Sequence, residues 1–404
     1  MNKKEKILKI LIAFGIAAIL FSLTLKYFNP LVSEISKQKE DEARLKDISL
    51  LDAVLNELKN SSPESLSGEK NKVYISLPSN SANCGGLNLP SLAENWEYRC
   101  KSEADYKKID GAGWIPIDFS KLKNNEFKTL PIDPINSADN PNYYAFLINR
   151  DFNEAKWALT APRESKKYLK EKTAGSAGAD LSRFEIANGA NLWSEANGLA
   201  GYWNFDSKEN NIAQDSSGNN NDGIVINNPE LVFGKIGQAY LFNGKNESIE
   251  IAGSEKLNLE KSITIEAWVK PLDSTQRIMG RHDADSSGGW HLWLSSEKEF
   301  VFTVSDGLGD ISLRSGDTCK LAEWSHIAGQ YDDQTKKMTL FVNGKKTGEI
   351  NLLRAVLPSK SNFTIGKFSS GADGYFKGTI DEVRLYNRIL SPQEIRKSYS
   401  ASNL

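Results

Sequence analysis

Two glutamates one residue apart, Glu297 and Glu299 in Ser296-Glu-Lys-Glu-Phe300, have the i, i+2 spacing that puts two carboxylates on one side of a strand. Paired carboxylates are the apparatus of glycoside hydrolysis, in which one acid protonates the leaving oxygen and the other attacks or activates water. These two follow Ser295-Ser296, a turn signal, and so read as a solvated hairpin. Glu266, in Thr264-Ile-Glu-Ala-Trp268, is a lone acid on a strand-like run. The chain has no G-x-S-x-G elbow, phosphate loop or dinucleotide fingerprint. Catalysis is therefore the weakest of the readings.

Residues suited to binding are better represented. In Gly289-Trp-His-Leu-Trp-Leu294 the neighbours Trp290 and His291 alternate, so one of them points away from any core. An indole face stacks on the C–H face of a pyranose while fixed polar groups take its hydroxyls. Asp283 and Asp285 in His282-Asp-Ala-Asp285 are placed to complete a rim. Asp215, Asn219 and Asp222 form a cluster of hard oxygens of the kind calcium takes, or else an Asx turn. Of three cysteines, Cys84 and Cys100 could close a disulfide in an oxidising compartment or stay as two thiols, and Cys319 is left over. The only histidines are His282, His291 and His326, and no Cys/His group has zinc spacing.

The elements that must position these residues are short strands. Ser262-Ile-Thr-Ile-Glu-Ala-Trp-Val269 and Lys337-Met-Thr-Leu-Phe-Val342 alternate apolar with polar residues. Asp215-Ser-Ser-Gly218, Phe242-Asn-Gly244, Asp306-Gly307 and Val342-Asn-Gly344 supply the turns, which implies an all-β sandwich. Ser391-Pro-Gln-Glu394 is a capping box with proline at the first helical position, so a short helix follows the last strand.

A resemblance accompanies this pattern. Tyr202-Trp-Asn-Phe-Asp206, Asp215 through Gly223, Ala239-Tyr-Leu-Phe-Asn-Gly244, Trp324-Ser-His-Ile-Ala328, Leu340-Phe-Val-Asn-Gly344 and Ile380-Asp-Glu-Val-Arg-Leu-Tyr386 resemble, in order, the motifs of concanavalin A-like, laminin-G-like jelly-roll domains. The resemblance covers residues 196–404. It implies that the first and last strands are neighbours, which would bring Asp206 near Asp381, and that such a strand pair holds a structural calcium. Trp203, Trp268 and Trp324 lie within apolar alternation or motif and read as core.

At the other end, Ile7 to Phe28 is apolar apart from Lys9 and Lys26 and reaches the roughly 20 residues of a bilayer span. Lys3, Lys4, Lys6 and Lys9 keep its N-terminus cytoplasmic and the bulk of the chain extracellular, as a single-pass protein of the cell membrane. The alternative is a cleaved secretory signal. With a formal charge of −2 and 39% hydrophobic residues, the 404-residue chain can fill two cores and offers no basic field for nucleic acid.

Leu45, Ile48, Leu51, Leu55 and Leu58 recur by threes and fours, with Lys, Asp and Glu opposite, so the anchor runs into a stalk helix. Behind it, Leu130-Pro-Ile-Asp-Pro134, Asn142-Tyr-Tyr-Ala-Phe146, Trp157-Ala-Leu-Thr-Ala161, Glu164-Ser-Lys-Lys-Tyr168 and Arg183-Phe-Glu-Ile-Ala-Asn188 resemble the α+β head of type IV pilin-like proteins and type II secretion pseudopilins. The pattern departs from that family at Gly15, which is followed by Ile16-Ala-Ala-Ile-Leu20 without the glutamate that prepilin processing reads. The organisation expected is an anchor at 1–30, a pilin-like stalk and head at 31–195 and a jelly-roll sandwich at 196–404. The function expected is non-catalytic binding of a glycan or surface protein, as an adhesin or minor pilin. The alternatives are a structural subunit packing with other pilin-like subunits in a filament, and then a glycan-active enzyme.

Overall fold

A computed structural model describes residues 29–122, 127–138, 142–151, 154–170, 180, 182–188, 191–207, 211–254, 257, 261–274, 276–369 and 374–401. The expected anchor, residues 7–28, lies outside them. Among the described residues no helix is long and apolar enough to cross a membrane.

The first described element is α1 (Asn29–Ser61), whose buried residues Asp41, Arg44, Ile48, Leu51, Val54, Leu55 and Leu58 form one stripe at helical spacing. The stripe lies on a sheet of β1 (Lys72–Pro78), β2 (Glu97–Lys101), β3 (Ala145–Asp151), β4 (Glu154–Pro162) and β5 (Arg183–Ala187), ordered β2-β1-β3-β4-β5. Ile48, Leu51 and Leu55 share a core with Phe146, Trp157 and Leu159. Two helix carboxylates pin the sheet's aromatics: Asp52 accepts from Trp157 Nε1 at 2.9 Å and Asp47 from Tyr144 OH at 2.8 Å.

Asp41 and Arg44 belong to the buried stripe although both are charged. Both are fully buried, because Arg44 pairs with Asp41 (2.9 Å), Asp133 (2.7 Å) and Glu164 (2.8 Å). Charges are tolerated in an interior only when paired in this way. At the helix start, by contrast, Leu31, Val32 and Ile35 are exposed. On the sheet's other face Cys84 and Cys100 form a disulfide with Cα atoms 5.2 Å apart, and Cys319 is free. The short helices α2 (Lys166–Lys170), whose Tyr168 packs on the core under α1, and α3 (Leu192–Ala196), whose Trp193 joins the core of the other face, complete the first half.

Among the described residues sixteen strands follow: β6 (Leu199–Trp203), β7 (Ile212–Ala213), β8 (Gly223–Ile226), β9 (Glu230–Phe233), β10 (Gln238–Asn243), β11 (Ser248–Ile251), β12 (Ser262–Pro271) and β13 (Gln276–His282). Then come β14 (Gly289–Leu294), β15 (Glu299–Ser305), β16 (Asp310–Thr318), β17 (Ser325–Asp332), β18 (Lys337–Val342), β19 (Lys345–Asn351), β20 (Phe363–Ile365) and β21 (Lys377–Tyr386), before the closing helix α4 (Pro392–Ala401). One sheet runs β19-β18-β17-β12-β21-β10-β9 with β6 also on β21, and the other β16-β15-β14-β13-β20-β11-β8-β7. This is a β-sandwich whose first and last strands pair.

Local chemistry fixes the hairpins. At the β18–β19 turn Asn343 and Gly344 have φ of 51° and 73°, the double positive φ of a two-residue hairpin loop. Ser391 and Glu394 cap α4 reciprocally, Ser391 N–H donating to Glu394 Oε2 at 2.8 Å and Glu394 N–H to Ser391 Oγ at 3.3 Å. Between the sheets Phe363 packs on Trp203 and Trp290, with ring centroids 5.2 and 5.6 Å away. Trp268 is buried on the opposite face of its sheet, stacked on Tyr399 of α4. Trp324 is only partly buried.

Candidate functional site

Strand alternation divides β14 between two environments. Trp290, Leu292 and Leu294 enter the sandwich core, which leaves His291 and Trp293 on the outer face of the sheet. The indole of Trp290 is thus a core ring and not a ligand platform. Trp293 takes that place: it is partly exposed and lies opposite Arg277 on β13 and Val301 on β15. The register of β13 shifts between Arg277 and Met279, so that Ile278 and Met279 both join the core while Arg277 stays outside. Gly280 makes room for His291, since a Cβ there would lie 2.3 Å from His291 Cβ.

Around the indole the outer face is polar and fixed. Trp293 Nε1 donates to Thr303 Oγ1 at 2.9 Å, and Thr303 shares a 2.8 Å hydrogen bond with Ser312 on β16. The Arg277 guanidinium lies 4.7 Å from the Trp293 ring and 5.1 Å from that of Phe368, and Arg314 lies 6.0 Å from Trp293. Arg277 Nη1 is 3.0 Å from His291 Nε2. A guanidinium only donates, so Nε2 accepts and the proton of His291 sits on Nδ1. Burial, with His282 and Arg277 adding repulsion, holds the His291 pKa well below the usual histidine value, so this ring is neutral. His282 stands beside it, centroids 4.7 Å apart, and bonds Asp310 at 2.8 Å through Nε2.

The acids the sequence singles out do other work. Asp283 Oδ1 accepts from Ser359 Oγ at 2.7 Å and from Ser361 N and Oγ at 3.1 and 2.7 Å, so it pins a loop and is not open to a ligand. Asp285 is exposed and accepts the Ser287 N–H at 3.0 Å in the loop between β13 and β14. Glu297 and Glu299 both pair with Arg314, at 3.2 and 2.9 Å. Hydrogen bonds from Ser296, its own backbone and Arg314 push the Glu297 pKa down to about 2, far from the value a general acid needs. Glu266 is fully buried. Burial alone would raise its pKa, but His326, Arg384 and Ser398 outweigh it and hold the carboxylate ionised under α4.

Asp206 and Asp381 converge on one turn, that joining β9 to β10. Asp381 Oδ2 accepts the N–H groups of Lys235 (2.8 Å) and Ile236 (3.0 Å), and Asp206 Oδ1 accepts that of Gln238 (3.1 Å). Asp215 likewise accepts from Tyr202 N (3.0 Å), Ser217 N (2.9 Å) and Asn221 N (3.0 Å), and Asp222 takes the Asp215 N–H at 2.7 Å. Amide N–H groups present the positive ends of peptide dipoles, so Asp381 Oδ2, Asp206 Oδ1 and both oxygens of Asp215 face donors of the protein's own backbone. Among the described residues no group of three or more His, Cys, Asp or Glu side chains could hold a metal.

Trp293 is a residue that the sequence pattern offers without singling it out. It lies two positions from His291 and therefore shares its face. Arg277, Arg314, Thr303 and Phe368 carry no such local signal, because only strand pairing and the loop after β20 bring them to the indole.

Residues 243–396 match the model of the concanavalin A-like lectin/glucanases superfamily. Among solved structures the chain is similar to domain 4 of AbnA, an extracellular arabinanase of Geobacillus stearothermophilus in complex with arabinotriose: 22% identity, 49% of this chain, 97% of that one, TM-score 0.43. It is also similar to the binding domain of Paraclostridial Mosquitocidal Protein 1, with 21% identity, 50% of this chain, 52% of that one and a TM-score of 0.42. Among curated proteins, 193 residues are 21% identical to the non-toxic nonhemagglutinin type D of Clostridium botulinum D phage. That alignment takes in 47% of this chain and only 16% of the relative. The C-terminal half of the chain therefore contains a concanavalin A-like lectin/glucanase domain.

Proposed function

We propose that this protein is a non-catalytic recognition protein that binds a glycan on the outer face of the second sheet, around Trp293. The observation that carries the reading is the partly exposed Trp293 indole, held at its edge by Thr303 and flanked by Arg277 and Arg314. Such a face offers a sugar ring a stacking surface, and the guanidiniums and Ser312 offer donors to its oxygens. The superfamily match supports a sugar-binding sandwich without choosing between lectin and glucanase. The low pKa of Glu297 and the burial of Glu266 favour binding over hydrolysis. In this reading α1 and its sheet are a pilin-like stem and residues 7–28 a membrane anchor, with the sandwich presented outside the cell.

A glycan array probed with wild type and Trp293→Ala tests it. Wild type should retain a defined set of sugars, and the variant should bind them at least about tenfold more weakly, equal to about 1.4 kcal/mol. No retention by wild type, or equal retention by both, overturns the proposal.

A second reading, packing into a filament, is favoured by one observation. Leu31, Val32 and Ile35 are 56%, 50% and 45% exposed at the start of α1, an apolar edge suited to a neighbouring helix. Mass measurement of the mature N-terminus separates the two, since a filament subunit would be processed near Gly15 and a plain anchor would begin intact.

A further inference from the structure

A cavity of about 170 Å³ lies between the two halves of the protein, far in sequence from the Trp293 face. Its wall on the first half carries Arg183, whose guanidinium lies between the rings of Tyr143 and Trp193 at 4.9 and 4.8 Å. Nε donates to Thr160 Oγ1 at 3.0 Å and Nη2 to the Tyr143 carbonyl at 2.7 Å, which leaves Nη1 without a partner among the described residues. The wall on the second half carries Lys397 of α4, which likewise has no ion pair or hydrogen bond among them. Burial lowers the Lys397 pKa, and repulsion from Arg183 adds to it, so the two cations feel each other across the space.

The remaining charges balance them only in part. Arg388 is matched by Glu394 at 2.7 Å. Asp180, kept ionised by Ser182 N (2.9 Å), Ser182 Oγ (2.7 Å), Trp193 Nε1 (3.3 Å) and the charge of Arg183, offsets one of the two cations. The positive charge left over in this partly desolvated cleft favours an anion between Arg183 and Lys397. In size the cavity compares with the roughly 150 Å³ space that takes one benzene ring, so it admits a single six-membered ring. The rest of the lining is rich in hydroxyl and amide groups, Ser91, Ser182 and Asn197 among them, and suits a polyol better than an apolar ring.

We propose that this interdomain cavity is a second binding site, for a small hydroxylated ring bearing one carboxylate, a hexuronate in size and charge. The carboxylate lies between Arg183 and Lys397 and joins the two halves of the chain. Isothermal titration of full-length protein with D-glucuronate, D-glucose and inorganic phosphate tests this. Glucuronate should bind, and glucose should bind at least tenfold more weakly. Lys397→Gln should weaken glucuronate binding at least tenfold while unfolding at the wild-type temperature. Asn88→Trp, on an exposed loop at the cavity's edge, should block entry and serves as an independent check. Trp293→Ala should leave this binding unchanged. Absence of glucuronate binding, binding that survives both cavity substitutions, or phosphate binding as tightly as glucuronate would each overturn the proposal.

Discussion

Glu185 provides the sharpest physical test of the first half of the protein. It sits on β5 two residues from Arg183, 3% exposed, and its Oε2 has no hydrogen-bond partner among the described residues. Burial, with repulsion from Asp180 and against the attraction of Arg183, raises its pKa from 4.5 to about 8. At neutral pH the folded protein therefore keeps this acid protonated, while the unfolded chain ionises it. Below about pH 4.5 both states are protonated and the group costs nothing. As pH rises towards about 8 the unfolded state gains by ionising, and stability falls by about 1.4 kcal/mol per pH unit. The whole window is worth about 5 kcal/mol. Glu185→Gln removes the titration and keeps the shape. Urea unfolding at several pH values, followed by far-UV circular dichroism of the 33-residue α1, should show the variant gaining on wild type as pH rises from about 5 to about 8. The two should match at the acid end. Parallel pH profiles for the two proteins would refute the reasoning.

Three further outcomes are expected. Replacing Cys84 and Cys100 by alanine opens a loop of sequence separation 16, which should cost about 3 kcal/mol in reducing-agent-independent unfolding; a midpoint unchanged from wild type would count against the bridge. Calcium and chelator should give the same thermal unfolding curve, because Asp206 and Asp381 already accept N–H donors; a calcium-dependent rise that Asp381→Ala abolishes would establish the ion instead. Arg44→Ala strands Asp41 and Asp133 as buried carboxylates, both fully buried in their side chains, and should destabilise the first half by about 3–5 kcal/mol by urea unfolding; a loss under about 1 kcal/mol would show that water reaches them.

What the sequence determined by itself is what neighbouring residues decide. Asn343-Gly344 turns a hairpin because both residues accept positive φ, and Ser391 with Glu394 starts a helix because each satisfies the other's backbone donor. The alternation of Trp290 with His291 told that one faces out, but not which. That choice belongs to the position of the opposite sheet, whose Trp203 packs on Phe363, the core neighbour of the Trp290 ring. Asp41 and Arg44 look solvated in the helical pattern because their partners, Asp133 and Glu164, are remote in the chain. Asp206, Asp215 and Asp381 look like metal ligands by residue type. Tertiary structure turns an oxygen of each towards backbone N–H groups, and a carboxylate cannot be told from a ligand until the donors that face it are known.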